Sequence, residues 1–461
     1  MFRKLILSVI VVFLFVTTAF AEVYPRDVNV QGNKFVWGDD GQVAMFRGFN
    51  MDETREDVVA RKYWSQDWVG KALNAMRTCG ANIVRVNVIP LKIRQLGADS
   101  YVNEIAGYVA EAEKRHMYVM ISFHSEAFMP TLNFAQNWYP EAISCTKEEY
   151  WQFWEAVSKK FAGNKTVAFY ELMNEATESA AGSDVGSDWA LWKDFSEDAI
   201  RRIRVNDLAK VILVSGIKWA VYFDATRPIG AKDTNIGYNA HPYPNSGQGG
   251  SNDGITNLRS KQDAIRNIAP MFASEFGYWS EEEGQKFNAP TLVESAWPGP
   301  GRYREDIITY LEARTIPWMT WGWREGYADL TWVMNKDSNE FQLAEYGQYW
   351  KSKMLPFAPK GHVTVNANGD TWRLKGDTTI HQSGETVDLV EGATYTIICT
   401  KGATKDVQVS EGQVISVDVS GGGPGGGGGG GCNVACSSWW GLSVLLVGLF
   451  LGYRRHAGGR S

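Results

Sequence analysis

Two short apolar runs in this chain end on carboxylates: Tyr170-Glu171-Leu172-Met173-Asn174-Glu175 and, much further on, Met271-Phe272-Ala273-Ser274-Glu275-Phe276-Gly277. A carboxylate at the mouth of a buried strand is costly to desolvate unless something uses it. Two such groups meeting across a cleft can divide the work of acid–base and nucleophilic chemistry. One then donates a proton while the other attacks or activates water.

Positioning two distant carboxylates requires elements that bring their ends to one face. Short strand-like runs alternate with longer amphipathic segments, the pattern of a parallel sheet with helices outside. The strand candidates are Ala44–Asn50, Asn82–Val88, Met117–Phe123, Val167–Glu175, Lys210–Gly216, Asn235–Tyr243, Met271–Gly277 and Trp318–Trp323. Between them, Trp68–Thr78, Val102–Lys114, Lys147–Phe161, Trp189–Ile203, Gly254–Asn267 and Tyr303–Ala313 have helical periodicity. Eight βα units predict an α/β fold, a (β/α)8 TIM barrel over residues 22–358, with a site at the C-terminal ends of the strands. An open doubly wound sheet is the competing architecture, but no Gly-rich phosphate loop follows the first strand. Ahead of the barrel, Val28 to Gln42 reads as a hairpin turning at Asp39-Asp40-Gly41 and plugging one barrel end.

The 461-residue chain carries a formal charge of −6, which leaves no basic face for phosphates and argues against nucleic acid as a partner. Its 19 Trp, 19 Tyr and 21 Phe suit both a large core and stacking on sugar rings. Arg3 and Lys4, the apolar stretch Leu5 to Val16 and Ala19-Phe20-Ala21 predict a signal peptide over residues 1–21 and hence export. Export permits disulfides, but five cysteines cannot all pair; Cys79 and Cys145 could bridge or remain separate buried thiols. No clustered His/Cys spacing points to a metal, and none is expected, nor is any cofactor.

After the barrel, residues 359–420 alternate Thr, Val and Ile with polar residues and Gly turns, predicting a small all-β module acting as a packing spacer or a carbohydrate binder. Residues 421–431 are almost all glycine, a flexible linker. Residues 432–461 hold Cys432, Cys436, the apolar run Trp439–Tyr453 and Arg454-Arg455-His456. This tail resembles the C-terminal sorting tails of Gram-negative envelope proteins. That resemblance implies a clipped or lipidated segment and a surface location; a plain membrane anchor is the alternative, its apolar run being short for a bilayer.

Along the predicted strands, Arg85 lies on the second, His124 ends the third, Asn174-Glu175 the fourth, His241 and Tyr243 the sixth, Glu275 the seventh, and Trp321 or Trp323 the eighth. The set resembles glycoside hydrolase family 5, over roughly Val28 to Pro356. The resemblance implies a retaining hydrolase that cleaves internal bonds of a β-1,4-linked polysaccharide, of the cellulose or β-glucan class, with β-mannan and other β-glycans as alternatives. It implies Glu175 as acid/base and Glu275 as nucleophile, the former with its pKa raised by desolvation and by Glu275, the latter kept ionised by Arg85 and Tyr243. Asn174 would grip the sugar 2-OH, His124 and His241 would line the cleaved subsite, and Trp321 or Trp323 would form its stacking floor. Glu126, Glu171 and Glu178 are nearby carboxylates expected to lie outside the reaction. Aromatics in Ser125–Cys145 (Trp138, Tyr139) and Tyr278–Gly301 (Trp279, Trp297) could line distal subsites or anchor loops. The contrasting possibility is a surface glycan-binding barrel without activity, which the presence of both carboxylates disfavours.

Overall fold

A computed structural model describes residues 24–51, 66–134, 144–244, 254–279, 281–286, 293–298, 301–323 and 343–419. The expected leader, Gly linker, C-terminal tail and Trp138-Tyr139 lie outside these residues. Among the described residues no helix is long and apolar enough to cross a membrane.

The chain enters through an antiparallel hairpin, β1 (Val28–Gln31) and β2 (Lys34–Trp37). Eight parallel strands then close a barrel in sequence order: β3 (Arg47–Met51), β4 (Ile83–Val88), β5 (Tyr118–Phe123), β8 (Val167–Glu171), β9 (Val211–Ser215), β10 (Ile236–Ala240), β11 (Met271–Ala273) and β12 (Trp318–Thr320). β12 pairs with β3 to complete the circle. A two-residue-per-strand hairpin, β6 (Ala127–Phe128) with β7 (Asn133–Phe134), interrupts the loop after β5. The helices run between strands; Lys147–Phe161 and Tyr303–Ala313 have the predicted bounds. Thr146 starts the former with a reciprocal capping box to Glu149, which satisfies two otherwise orphaned backbone donors.

Strand alternation sorts the side chains into two layers. On β4, Val84, Val86 and Val88 pack outward with the helices, whereas Ile83 joins the apolar cluster inside the barrel. That inner cluster, with Phe46, Tyr118, Met120, Phe169, Leu213, Phe272 and Met319, is closed from below by Val28 and Phe35 of the hairpin. The plug therefore exists, but its turn is at Gly32, in the left-handed region at φ 60°; the expected Asp39–Gly41 turn instead returns the chain to bridge Val36 with Val43. Gly237 makes room for the plug, since a Cβ there would sit 2.9 Å from the Phe35 ring.

Every barrel strand but one is shorter at its C-terminal end than the apolar runs suggested, or equal to them. β8 stops at Glu171 rather than Glu175, β11 at Ala273 rather than Gly277, and β12 at Thr320 rather than Trp323. Only β3 runs further, to Met51. The residues beyond the strand ends leave the sheet and form the rim.

Residues after the barrel make a three-stranded and a four-stranded sheet, built from β13 (Lys360–Asn366), β14 (Thr371–Leu374), β15 (His381–Gln382), β16 (Thr386–Val390), β17 (Thr394–Cys399), β18 (Thr404–Gln408) and β19 (Val414–Asp418). They enclose their own core around Trp372, Val363 and Ile397. This module is fastened to the barrel through helix Gln66–Thr78 and the turn before β5. The buried Arg77 donates to the Glu391 carbonyl at 2.6 Å and to its carboxylate at 3.3 Å, and His116 Nδ1 lies 2.8 Å from the same carboxylate. Asn74 exchanges two hydrogen bonds with the Thr394 backbone, and Gly392, at φ 74°, lies where a Cβ would meet the Arg115 carbonyl at 2.5 Å.

Burial works to raise the Glu391 pKa, but the His116 hydrogen bond and the Arg77 cation outweigh it and hold the carboxyl below its ordinary value. A group whose folded pKa is depressed stabilises the fold above its unfolded pKa and loses that contribution as pH falls through the folded value. Glu391→Ala should therefore lower stability near neutrality by about 1–3 kcal/mol. Thermal unfolding should show the gap to the parent protein closing once pH drops below the ordinary carboxylate range.

The three cysteines among the described residues, Cys79, Cys145 and Cys399, are all free and buried. The possible Cys79–Cys145 bridge does not form. Both thiols belong to the apolar layer between strands and helices: Cys79 follows helix Gln66–Thr78, and Cys145 lies between β7 and helix Lys147–Phe161 with its Sγ 3.7 Å from Met129 Sδ.

Candidate active site

Arg85 organises the site. It sits in mid-strand on β4 with its side chain turned into the barrel, fully buried, where an unpaired cation would be prohibitive. Every branch of the guanidinium is engaged. Nε and Nη2 donate to Glu171 Oε2 at 2.6 and 2.5 Å, Nη1 donates to Asn50 Oδ1 at 2.6 Å and to Glu275 Oε2 at 2.8 Å, and Nη2 also donates to Asn174 Oδ1 at 2.7 Å. The strong preference of arginine for planar, multi-point contact with carboxylates suits this position better than lysine would.

Glu275 follows the end of β11 and is almost completely buried. Tyr243 donates its hydroxyl to Glu275 Oε1 at 2.9 Å, so each carboxylate oxygen holds one donor. Burial and then the charge of Glu275 push the Tyr243 phenol far above its ordinary pKa, which keeps it a donor. The Glu275 carboxyl itself is raised above its ordinary value. Burial is the largest cause and the proximity of Glu175 adds to it, against the lowering effects of Arg85 and Tyr243. The donors expected around this group are present, but complete desolvation outweighs them. His241 in its charged form would also lower the Glu275 pKa, yet burial drops the imidazole to about 4, so near neutrality it is uncharged.

Glu175 lies four residues past the end of β8, its backbone N–H held 3.2 Å from the Ser125 carbonyl. Its Oε1 is 2.8 Å from His241 Nδ1, and His241 Nε2 is 3.2 Å from Ser274 Oγ. A neutral imidazole donates from one nitrogen and accepts at the other, so His241 can serve either protonation state of Glu175 by choice of tautomer. An oxygen of Glu175, a nitrogen of His241 and an oxygen of Glu275 all lie within 4.8 Å of one another. Three such groups could in principle hold a cation. The Arg85 guanidinium on Glu275 opposes a second positive charge there, and the donor set suits two carboxylates working on one bond.

Of the remaining expected residues, Asn174 spends its Oδ1 on Arg85, which fixes the amide and leaves Nδ2 as the donor for a ligand. His124 stacks on Trp321 at 5.5 Å and 20°, and Trp321 clusters with Tyr243 and the half-buried Trp279. Trp323 does not belong here: it is fully buried against Phe49 in the layer between strands and helices. Strand alternation through the run Trp318–Trp323 would put Trp321 and Trp323 on one face, but β12 ends at Thr320, so the alternation does not reach them. Trp297 is likewise an anchor, donating to Asp306 at 2.9 Å.

Sequence reasoning missed Asn50 and Ser274, and set Glu171 aside. Asn50 receives Arg85 and donates to the Ser274 and Thr320 carbonyls at 2.9 and 3.2 Å, tying β3 to the strands that carry Glu275 and Trp321. Its place at the end of the first predicted strand was the available signal. Glu171 is not a bystander but the principal partner of Arg85, whereas Glu178 pairs with Lys218 at 3.1 Å outside this network.

Comparison with known proteins bears on the family and the fold. No curated protein matches the chain. Among solved structures, a β-glucanase from Saccharophagus degradans is 25% identical in its native form, covering 72% of this chain and 94% of its own, with a TM-score of 0.60. The same β-glucanase with cellotetraose bound superposes at 0.61. The catalytic domain of an endoglucanase from Thermobifida fusca, 18% identical with a TM-score of 0.51 over 71% of this chain and 97% of its own, shares the fold. Residues 37–326 match the cellulase (glycosyl hydrolase family 5) family, and the chain, a glycoside hydrolase on a (β/α)8 barrel, belongs to that family.

Proposed function

We propose that this protein is a retaining endo-β-1,4-glucanase working by double displacement through Glu175 and Glu275. The observation that carries the reading is that the two carboxylates, carried past the ends of β8 and β11, come together with an oxygen of Glu175 within 4.8 Å of an oxygen of Glu275 and His241 at the side, a closeness that favours the shorter of the two known spacings. Retaining pairs lie about 5–5.5 Å apart, whereas inverting pairs need about 6.5–9.5 Å to admit a water. In the first step an oxygen of Glu275 bonds to the anomeric carbon while the bond to the leaving oxygen breaks and takes the proton of Glu175. In the second, water attacks the same carbon, Glu175 accepts its proton, and the electron pair of the ester bond returns to Glu275. Asn174 Nδ2 would donate toward the sugar 2-OH, and Trp321, braced by His124, would stack under the ring. The cellotetraose complex of the 25% identical β-glucanase supports a β-glucan over a mannan.

A 2-deoxy-2-fluoro-β-cellobioside with a dinitrophenolate leaving group should accumulate as an ester mapped by peptide mass to Glu275, and NMR of early product should show the β anomer. The α anomer appearing first would mean inversion and end this reading. Tyr243→Phe removes a hydrogen bond to the charged form of Glu275, worth about 1.5–3 kcal/mol, so kcat/KM should fall about 10–100-fold. With that donor gone the Glu275 pKa rises further, and the acid limb of the pH profile should move to higher pH, not lower.

Export through residues 1–21 and surface retention through residues 432–461 belong to the same proposal, supported by the apolar run Leu5–Val16, the small residues Ala19 and Ala21, and the Trp439–Tyr453 run before Arg454-Arg455. The intact mass of the native protein would read both clippings, and a full-length mass would exclude them.

A further inference from the structure

We propose that Glu171 is a positioning residue that keeps the buried charge of Arg85 paired while Glu275 is esterified, and so decides how the two chemical steps share the barrier. The inference rests on the reading of Glu275 as nucleophile. In the free enzyme Arg85 faces two anions, Glu171 and Glu275. Esterification turns Glu275 into a neutral ester and Glu175 into a carboxylate. Of the two anions that had touched the guanidinium, one is lost. A fully buried cation left without its partner is among the most costly arrangements a protein can contain.

Glu171 prevents that. It lies in the last position of β8, in register with Ser122 of β5 and Leu213 of β9, within the barrel and four residues before Glu175. It is fully buried, and its Oε2 takes both Nε and Nη2 of Arg85. Among the described residues its Oε1 has no hydrogen-bond partner, and neither has Ser122 Oγ beside it. Arg85 is therefore the group that balances this carboxylate, and the dependence is mutual. The hydrolytic step restores the Glu275 carboxylate and returns Arg85 to two anions.

Replacing the charge but not the shape separates electrostatics from architecture. In Glu171→Gln the whole attraction of Arg85 falls on Glu275, which overstabilises the nucleophile, and esterification then strips the cation of its adjacent anion. The first step should slow on the order of 10²-fold. The second step, which regenerates the carboxylate, should hold or quicken. The dinitrophenyl 2-deoxy-2-fluoro-β-cellobioside reads both: the inactivation rate constant reports ester formation, and recovery of activity after excess reagent is removed reports hydrolysis.

The ratio of inactivation to reactivation rate constants should fall about 100-fold or more in Glu171→Gln. Equal losses in both constants, as a displaced Arg85 would give, overturn the inference, and so does an unchanged ratio. If Glu171→Gln fails to fold by circular dichroism, Glu171→Asp carries the test. It retains the charge on a shorter arm, so both constants should shift together in size while their ratio stays within about threefold of the parent. A ratio displaced about tenfold or more in Glu171→Asp overturns the inference. Absence of any adduct on Glu275 in the parent protein would instead sink the reading of Glu275, and this inference with it.

Discussion

Glu175→Ala is expected to lose about 10²–10⁴-fold in turnover of β-glucan, the range that a positioned general acid and base supplies. The loss should depend on the leaving group. A sugar alkoxide cannot depart without a proton, so polysaccharide suffers in the first step. A dinitrophenolate needs none, so its release should show a rapid burst followed by slow turnover, because the second step still lacks its base. Truncation also opens space beside His241, whose Nδ1 had faced the Glu175 carboxylate at 2.8 Å. Azide, needing no deprotonation, should enter there, attack the Glu275 ester and restore turnover with a β-glycosyl azide as product. Full activity of Glu175→Ala on polysaccharide would remove Glu175 from the mechanism.

The barrel and the residues at its mouth were legible because two independent patterns agreed. Apolar runs recurred with amphipathic segments between them, and chemistry-bearing residues recurred at the ends of those runs. Arg85, His124, Asn174, Glu175, His241, Tyr243, Glu275 and Trp321 do converge, since parallel strands put all their C-terminal ends on one face. What could not be read was where each strand stops. An apolar run continues past the last ladder hydrogen bond whenever the following residues remain buried, as Leu172, Met173 and Phe276 do. Period-two alternation then misplaces a side chain, and Trp323 is the result.

Glu171 illustrates a second limit. From sequence it was one carboxylate among several near Glu175, and its depth in the strand argued for a bystander. Depth is what makes it matter: a buried arginine needs a buried anion, and which one it takes is set by closing the barrel, which brings β4 and β8 to either side of β5. The link between Arg77 and Glu391 was invisible for the same reason, because 314 residues separate the partners and only the docked module joins them. The module's own apolar positions were legible from alternation, but its docking face was not, since Asn74, Arg77 and His116 carry no periodic signal.

Glu275→Ala should be the more severe substitution and should reveal the other face of the sugar. Without a nucleophile no ester forms, and turnover of every substrate, activated or not, should fall on the order of 10⁵-fold or more. Unlike the acid/base variant, a good leaving group should not bring back a burst. The cavity left by the side chain is lined by Arg85, whose Nη1 had donated to the lost carboxylate at 2.8 Å, and by Tyr243, which had donated at 2.9 Å. An anion of the size of azide or formate is drawn to that charge and can hold both donors. Azide there lies on the α face of a dinitrophenyl β-cellobioside and attacks with inversion in a single displacement, with Glu175 still present. The product should be the α-glycosyl azide, opposite in configuration to that from Glu175→Ala. A β-azide from Glu275→Ala would mean that its carboxylate does not occupy the attacking face. Two variants giving opposite anomers from one reagent locate both carboxylates relative to the sugar, which loss of activity alone cannot do.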